Sequence, residues 1–226
     1  MRHEDGHAAS VAEGLRRLGL DLPATAGAQL TAYADLLRKR AVPFGMLGPH
    51  EADRIVPRHV VDSLRAVAPL ASVGPRSAVD LGSGAGLPGI PLAVALPDVA
   101  FTLAEPRGKR AAFLELVVER LELSNVSVHA DPAETLPPAR FDAAVARAFA
   151  SPQATWKAAA RLLRPGGALI LFAGSGTESS TPLEGAASIQ EVETGSAVEL
   201  VEGVREATSD TIPLASDGHL VMIRKT

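Results

Sequence analysis

One segment constrains this chain more than any other: Val79-Asp80-Leu81-Gly82-Ser83-Gly84-Ala85-Gly86-Leu87-Pro88-Gly89-Ile90-Pro91. An apolar run ends near an acid, three glycines alternate, and a proline opens the next apolar run. Arg76 to Leu81 reads as a buried strand. Pro88 to Leu96 reads as a helix, since proline is favoured in the first helical turn. The glycines between them permit positive φ and close approach of the backbone to a ligand, and the helix start offers free N–H groups. Strand, glycine turn and helix in this order belong to an open α/β sheet. Such sheets bind ligands beyond the carboxyl ends of their strands, near a switch point.

The rest of the chain agrees with that architecture. Residues 8–19 and 26–40 carry apolar side chains at near-helical spacing, with Pro23 between them. Gly45, Gly48 and Pro49 mark a loop. Val56 to Leu70 reads as a further helix, and Gly74-Pro75 closes this all-helical leading region. Beyond the glycine segment, strands are predicted over 99–104, 125–130, 142–146 and 168–173, with helices over 108–121 and 152–163. A polar loop at 175–181, a helix near 184–192, and strands at 198–205 and 219–224 complete the pattern. Alternating strands and helices argue for a parallel sheet with right-handed crossovers. The two late strands, with no clear helix between them, predict an antiparallel pair at one edge. The fold class is therefore α/β and Rossmann-like: a mostly parallel sheet with an antiparallel edge strand, plus an N-terminal helical extension. Residues 1–75 form the extension and residues 76–226 the ligand-binding domain.

Composition removes several functions. Hydrophobic residues make up 46% and charged residues 21%, an ordinary globular balance, while aromatics at 4% require an aliphatic core. There is no cysteine, which excludes disulfides, thiolate metal sites, iron–sulfur clusters and a cysteine nucleophile. No metal is expected. From Pro165 to Thr226 there are three basic residues against nine acidic ones. Contact with nucleic acid is thus expected from the N-terminal part and the middle of the chain. No run of about 18 apolar residues is present, and the start lacks a signal-peptide core. The expectation is a cytoplasmic monomer with no membrane partner.

Two ligands compete for the glycine segment. Gly84-x-Gly86-x-x-Gly89 satisfies the dinucleotide fingerprint, a weak signal alone. Gly82-x-Gly84-x-Gly86 preceded by Asp80 is the pattern of S-adenosylmethionine (SAM) methyltransferases. Three features favour the second. Asp80 stands where a carboxylate can reach the amino-acid end of that cofactor. Helical sequence precedes the first strand. Arg164-Pro165-Gly166-Gly167 leads into the fifth strand. Glu105, at the end of the second strand, can accept ribose hydroxyls of either cofactor. Ala133-Glu134, after the third strand, lies where methyltransferases hold adenine. Arg147 can bind a phosphate, a guanine edge or the cofactor carboxylate, or form a structural ion pair. His59 and Asp62, three apart, can orient each other, line the cofactor entrance, or be merely structural. Arg38-Lys39-Arg40 can touch phosphates or cap a solvated helix end. Lys109 and Arg110 open the helix after Glu105, where phosphate contact and ion pairing are both open.

The residues resemble one family. Asp80-Leu-Gly-Ser-Gly-Ala-Gly-Leu-Pro-Gly-Ile-Pro-Leu92 is similar to the glycine loop of the GidB/RsmG family, and its Leu-Pro-Gly-Ile-Pro-Leu extension is far more specific than the glycines. Arg58-His59-Val60-Val61-Asp62-Ser63-Leu64, Gly108-Lys109-Arg110 with Phe113-Leu114, Arg147-Ala148-Phe149-Ala150-Ser151 and His219-Leu220-Val221 match further family segments in order. The resemblance implies a class I SAM-dependent methyltransferase that modifies guanine N7 in small-subunit ribosomal RNA, with the RNA or the small ribosomal subunit as partner. It implies a cofactor site of Asp80, Gly82, Ser83, Gly84, Gly86, Leu87, Glu105, Ala133, Glu134 and Arg147, with Arg147 as the catalytic residue. His59, Asp62, Lys109 and Arg110 would face the RNA. Three positions depart from the family. Arg38 to Leu47 replaces its Trp-Asn…Asn-Leu-Thr segment, Ala173 stands for a lysine, and Gly218 stands for an arginine. The two lost cations keep a small-molecule methyltransferase open as an alternative, with a non-enzymatic binding module and an NAD-dependent enzyme behind it.

The chemistry fits. Guanine N7 has a free lone pair and no proton to lose, so its methylation needs no general base and no covalent nucleophile. The lack of cysteine excludes the thiolate route to cytosine C5. Ala146-Arg147-Ala148-Phe149 is not the Asn/Asp-Pro-Pro-aromatic loop used for exocyclic amines. Ring nitrogens and a few oxygens remain.

Overall fold

A computed structural model of the chain describes residues 2–173, 183–192, 204–207 and 220–226. Helix α1 spans Arg2–Leu18 and α2 spans Ala26–Leu36, running on into a wide π-type turn at Leu37–Ala41. The segment expected to be one helix over 56–70 is broken. A 3₁₀ turn (Pro49–Arg54) and a π-type stretch (Ile55–Val61) lead into the short α3 (Asp62–Leu64), and α4 (Val67–Val73) ends at Gly74 in the left-handed conformation (φ 64°). Then come β1 (Ser77–Leu81), α5 (Gly89–Ala95), β2 (Ala100–Ala104), α6 (Gly108–Arg120), β3 (Val126–His129), β4 (Phe141–Arg147), α7 (Pro152–Leu162) and β5 (Leu163–Phe172). The chain closes with β6 (Ala186–Val192), β7 (Val204–Ala207) and β8 (Leu220–Lys225).

The strand order is β3-β2-β1-β4-β5-β8-β6-β7. Strands β1 to β5 are parallel, and β8 runs antiparallel to β5. The antiparallel part is larger than expected, because β6 pairs with β8 and β7 with β6. The helix expected near 184–192 is therefore a strand. Its Ala-rich sequence suits a helix, but it lies along β8, whose edge groups it satisfies, and it buries Ile189. The expected strand at 198–205 and the loop at 175–181 fall largely or wholly outside the described residues, as does Gly218.

At the centre of the sheet both faces are covered, so β1, β2, β4, the second half of β5 and the first part of β8 are mostly apolar and buried. Ala78, Phe101, Leu103, Val145, Ile170 and Met222 point to one face, where they join Leu30, Leu37, Ile55, Val60 and Leu64 of the extension and the apolar sides of α5 and α6. The alternate residues, among them Val79, Ala104, Ala144, Leu169 and Val221, point to the other face, against Trp156, Ala159 and Leu162 of α7. The indole N–H of Trp156 donates to the Glu184 carbonyl (2.9 Å) and so ties α7 to the approach to β6. Order reverses between β1 and β4, which opens the switch point at their carboxyl ends. No helix among the described residues is long and apolar enough to cross a membrane.

Candidate active site

The glycine segment forms the turn between β1 and α5. Gly82, Gly84 and Gly86 all have positive φ, at 65°, 60° and 97°. A β-carbon at Gly82 would lie 2.6 Å from Phe149, and one at Gly86 would lie 2.6 Å from Ile90 and 2.9 Å from the Tyr33 hydroxyl. These glycines are demanded by protein packing. Gly84 differs: the nearest atom to its virtual β-carbon is the Gly82 carbonyl at 3.8 Å. It leaves a backbone surface that a ligand can approach closely.

Asp80 does not face that surface. It is fully buried, and its Oδ2 accepts the Gly89 N–H at 3.0 Å. A β-carbon at Gly89 would sit 2.5 Å from that oxygen, so the glycine lets the carboxylate meet the start of α5. Asp80 Oδ1 is buried and has no hydrogen-bond partner among the described residues. Burial pushes the Asp80 carboxyl up to about 7. Ser83, also buried, donates its hydroxyl to the Asp80 main-chain carbonyl (3.1 Å). Leu87 is buried beside the loop.

Glu105, 3% exposed at the end of β2, joins two loops. One carboxylate oxygen accepts the Gly84 N–H (2.9 Å), the other the Arg107 N–H (2.9 Å), and the Arg110 guanidinium stands 3.8 Å away. Each oxygen keeps a second lone pair for a ribose hydroxyl. Lys109 is exposed on the first turn of α6. After β3, Ala133 is buried and Glu134 exposed. Arg161 of α7, which the sequence did not single out, donates to the carbonyls of Ala133 (3.0 Å), Glu134 (2.9 Å) and Leu136 (2.8 Å) and fixes this turn. Nothing in helical periodicity marks that role.

Arg147 ends β4 at the switch point. Its guanidinium pairs with Asp62 (2.9 Å), donates to the Arg58 carbonyl (2.8 Å) and the Ser63 hydroxyl (3.3 Å), and lies over the Phe172 ring (5.3 Å). Burial lowers its pKa and Asp62 opposes that shift. The structural ion pair is thus formed. His59 and Asp62 do not orient each other: His59 Nε2 meets Glu51 (2.8 Å), while Asp62 takes Arg65 (2.8 Å) and Arg147. The cause is the wide π-type winding of 55–61, which moves a spacing of three off one face. Burial lowers the His59 pKa below its usual value, and the contact with Glu51 opposes that shift. The residue after Arg147, Ala148, has φ 51°, and this turn brings Phe149 onto Gly82. Tyr33 of α2 also reaches the site, donating its hydroxyl to the Ala85 carbonyl at 2.7 Å. Its sequence spacing marks it only as core.

The site therefore has a glycine turn at the switch point, a carboxylate at the end of the neighbouring strand, and a held turn after the third. Residues 26–207 match the GidB family model, described as rRNA small subunit methyltransferase G. The chain belongs to the GidB family. A ribosomal RNA small subunit methyltransferase G from Stenotrophomonas maltophilia is 36% identical over 220 residues, covering 96% of this chain and 94% of that one. Its counterpart from Mycobacterium leprae is 43% identical over 145 residues, covering 63% of this chain and 58% of its own. Among solved structures, a 16S rRNA methyltransferase from T. thermophilus, in complex with AdoMet and guanosine, shares the fold. It superposes at TM-score 0.53 and 20% identity over 76% of this chain and 44% of that one. A SAM-dependent O-methyltransferase from Thermotoga maritima does so at TM-score 0.52 and 16% identity, covering 73% and 64%. The GidB family places the β1–α5 turn in a methyltransferase. Ala173, where the resemblance implied a lysine, is buried at the end of β5.

Proposed function

We propose that this GidB member transfers the methyl group of SAM to N7 of a guanine in small-subunit ribosomal RNA. The observation that carries the reading is the glycine turn at the β1/β4 switch point, with an open Gly84 tethered to the buried Glu105. We assign the cofactor to Gly82, Gly84, Gly86 and Leu87, with Glu105 accepting from the ribose and Ala133-Glu134 beside the adenine. Asp80 and Ser83 support that turn from inside. Residues 1–75 are the extension and 76–226 the methyltransferase domain.

Bound there, SAM would supply a sulfonium methyl group, which a ring nitrogen accepts through its lone pair without losing a proton. The chain's task is to hold and orient the two reactants and to exclude water. The side chains fit that task. Glu105 accepts two backbone N–H groups, Asp80 accepts one and is wholly buried, and His59 is engaged with Glu51, so each of these side chains already has a structural task. Arg147 holds residues 58–63 through the Arg58 carbonyl, and the exposed Arg58 side chain, paired with Glu51 at 3.5 Å, adds a cation nearby. Lys109 and Arg110 offer further cations on the Glu105 side.

Labelled SAM incubated with undermethylated small subunits, naked ribosomal RNA and a metabolite extract tests the reading. Label in RNA that cleaves at one N7-methylguanine is the expected result. Label confined to metabolites would transfer the site to a small-molecule acceptor, the alternative that the missing lysine at Ala173 keeps open.

A further inference from the structure

We propose that Tyr33, a residue of the N-terminal extension, is a positioning residue for the cofactor: its buried hydroxyl sets the shape of the glycine turn that faces SAM. The inference rests on the cofactor reading above. Tyr33 lies on α2 and is fully buried. Its hydroxyl donates to the Ala85 carbonyl at 2.7 Å, across 52 residues of sequence. The peptide unit joining Ala85 to Gly86 is thereby held at both ends, since the Gly86 N–H donates to the Ser83 carbonyl at 2.7 Å. Two peptides earlier, the Gly84 N–H is held by Glu105 at 2.9 Å. Three bonds thus fix two peptides of the turn, Ser83–Gly84 and Ala85–Gly86, and two of the groups that make them, Tyr33 and Glu105, come from other elements. The hydroxyl also closes the space over Gly86, where an added β-carbon would stand 2.9 Å from it.

Removing the hydroxyl while keeping the ring leaves a buried carbonyl without its donor. Such a group is costly to leave unmet. The turn can relieve it by rotating the Ala85–Gly86 peptide, and that rotation alters the backbone surface on the cofactor side. A residue of mere packing value would not have this effect, because phenylalanine fills the same volume.

The test is Tyr33→Phe in the full chain, with SAM affinity by calorimetry, thermal unfolding, and kinetics on undermethylated small subunits. The expected result is a rise of about tenfold in the Kd and KM for SAM. The KM for the subunits and kcat at saturating SAM should stay within about twofold of wild type. Unchanged SAM affinity overturns the proposal, whether or not Tm falls. Wild-type protein that does not bind SAM overturns the cofactor reading and this inference together. Tyr33 is the chain's only tyrosine, so 3-fluorotyrosine labelling gives a single ¹⁹F resonance from the intact fold. Should Tyr33→Phe not fold, that resonance decides: a shift on SAM addition supports the coupling, and an unmoved resonance at saturating SAM overturns it.

Discussion

Gly84 and Asp80 show how differently two residues of one motif are used. Gly84 has φ 60° and open space beside it, so a larger side chain there meets ligand rather than protein. Gly84→Asp is expected to weaken SAM binding by more than about 100-fold, through filled space and a carboxylate set against the cofactor's own. Its Tm should remain near wild type, since aspartate visits the left-handed region with little strain. Calorimetry and thermal unfolding check both halves. Asp80 acts inside the protein. Its carboxyl is raised by burial from 3.8 to about 7, so between those values the folded chain keeps a proton that the unfolded chain has lost. Stability attributable to Asp80 therefore falls as pH rises towards 7, by roughly 2 kcal/mol between pH 5.5 and 7. Asp80→Asn does not titrate. Urea unfolding should show the mutant gaining on wild type as pH is raised from 5.5 to 8, and a constant difference would contradict the buried carboxylate.

The decisive contact between elements is the clamp of Arg147 at the end of β4 on Asp62, Ser63 and the Arg58 carbonyl. If Arg147 acts by holding residues 58–63, Asp62→Asn and Arg147→Ala should each lower kcat, by about 100-fold, and the double variant should be no worse than Arg147→Ala. A loss in Arg147→Ala with wild-type turnover in Asp62→Asn would instead put the guanidinium on a ligand. The same elements show where sequence patterns hold and fail. Phe113, Leu114, Val117 and Leu121, which recur at helical spacing in the segment 108–121, are all buried, because periodicity reports a local property. The His59–Asp62 pairing assumed α-helical winding and failed where the chain winds more widely. The stretch Ala186–Val192 failed for another reason: alanine and glutamine suit a helix, and only the neighbouring β8 makes it a strand.

For the whole molecule, the extension and the sheet share one apolar cluster. Leu30, Leu37, Ile55, Val60, Leu64 and Leu70 are each 0% exposed within it. At about 1.5–3 kcal/mol for each buried aliphatic side chain, their removal exceeds the net stability of a typical domain. Residues 76–226 alone are thus expected to show no cooperative thermal transition. A sharp transition in that fragment would make the extension an independent appendage. The parallel sheet, the glycine turn after β1, the carboxylate at the end of β2 and the family are all legible in the residues alone. Each of these is written in neighbouring residues through backbone freedom, side-chain periodicity or a contiguous motif. Packing in three dimensions is what turns Asp80 inward, pairs Asp62 with Arg147, sets Arg161 on the turn after β3 and brings Tyr33 to the glycine turn. Those contacts join residues 9 to 85 positions apart, and the packing of helices on the sheet, which no local pattern encodes, brings them together.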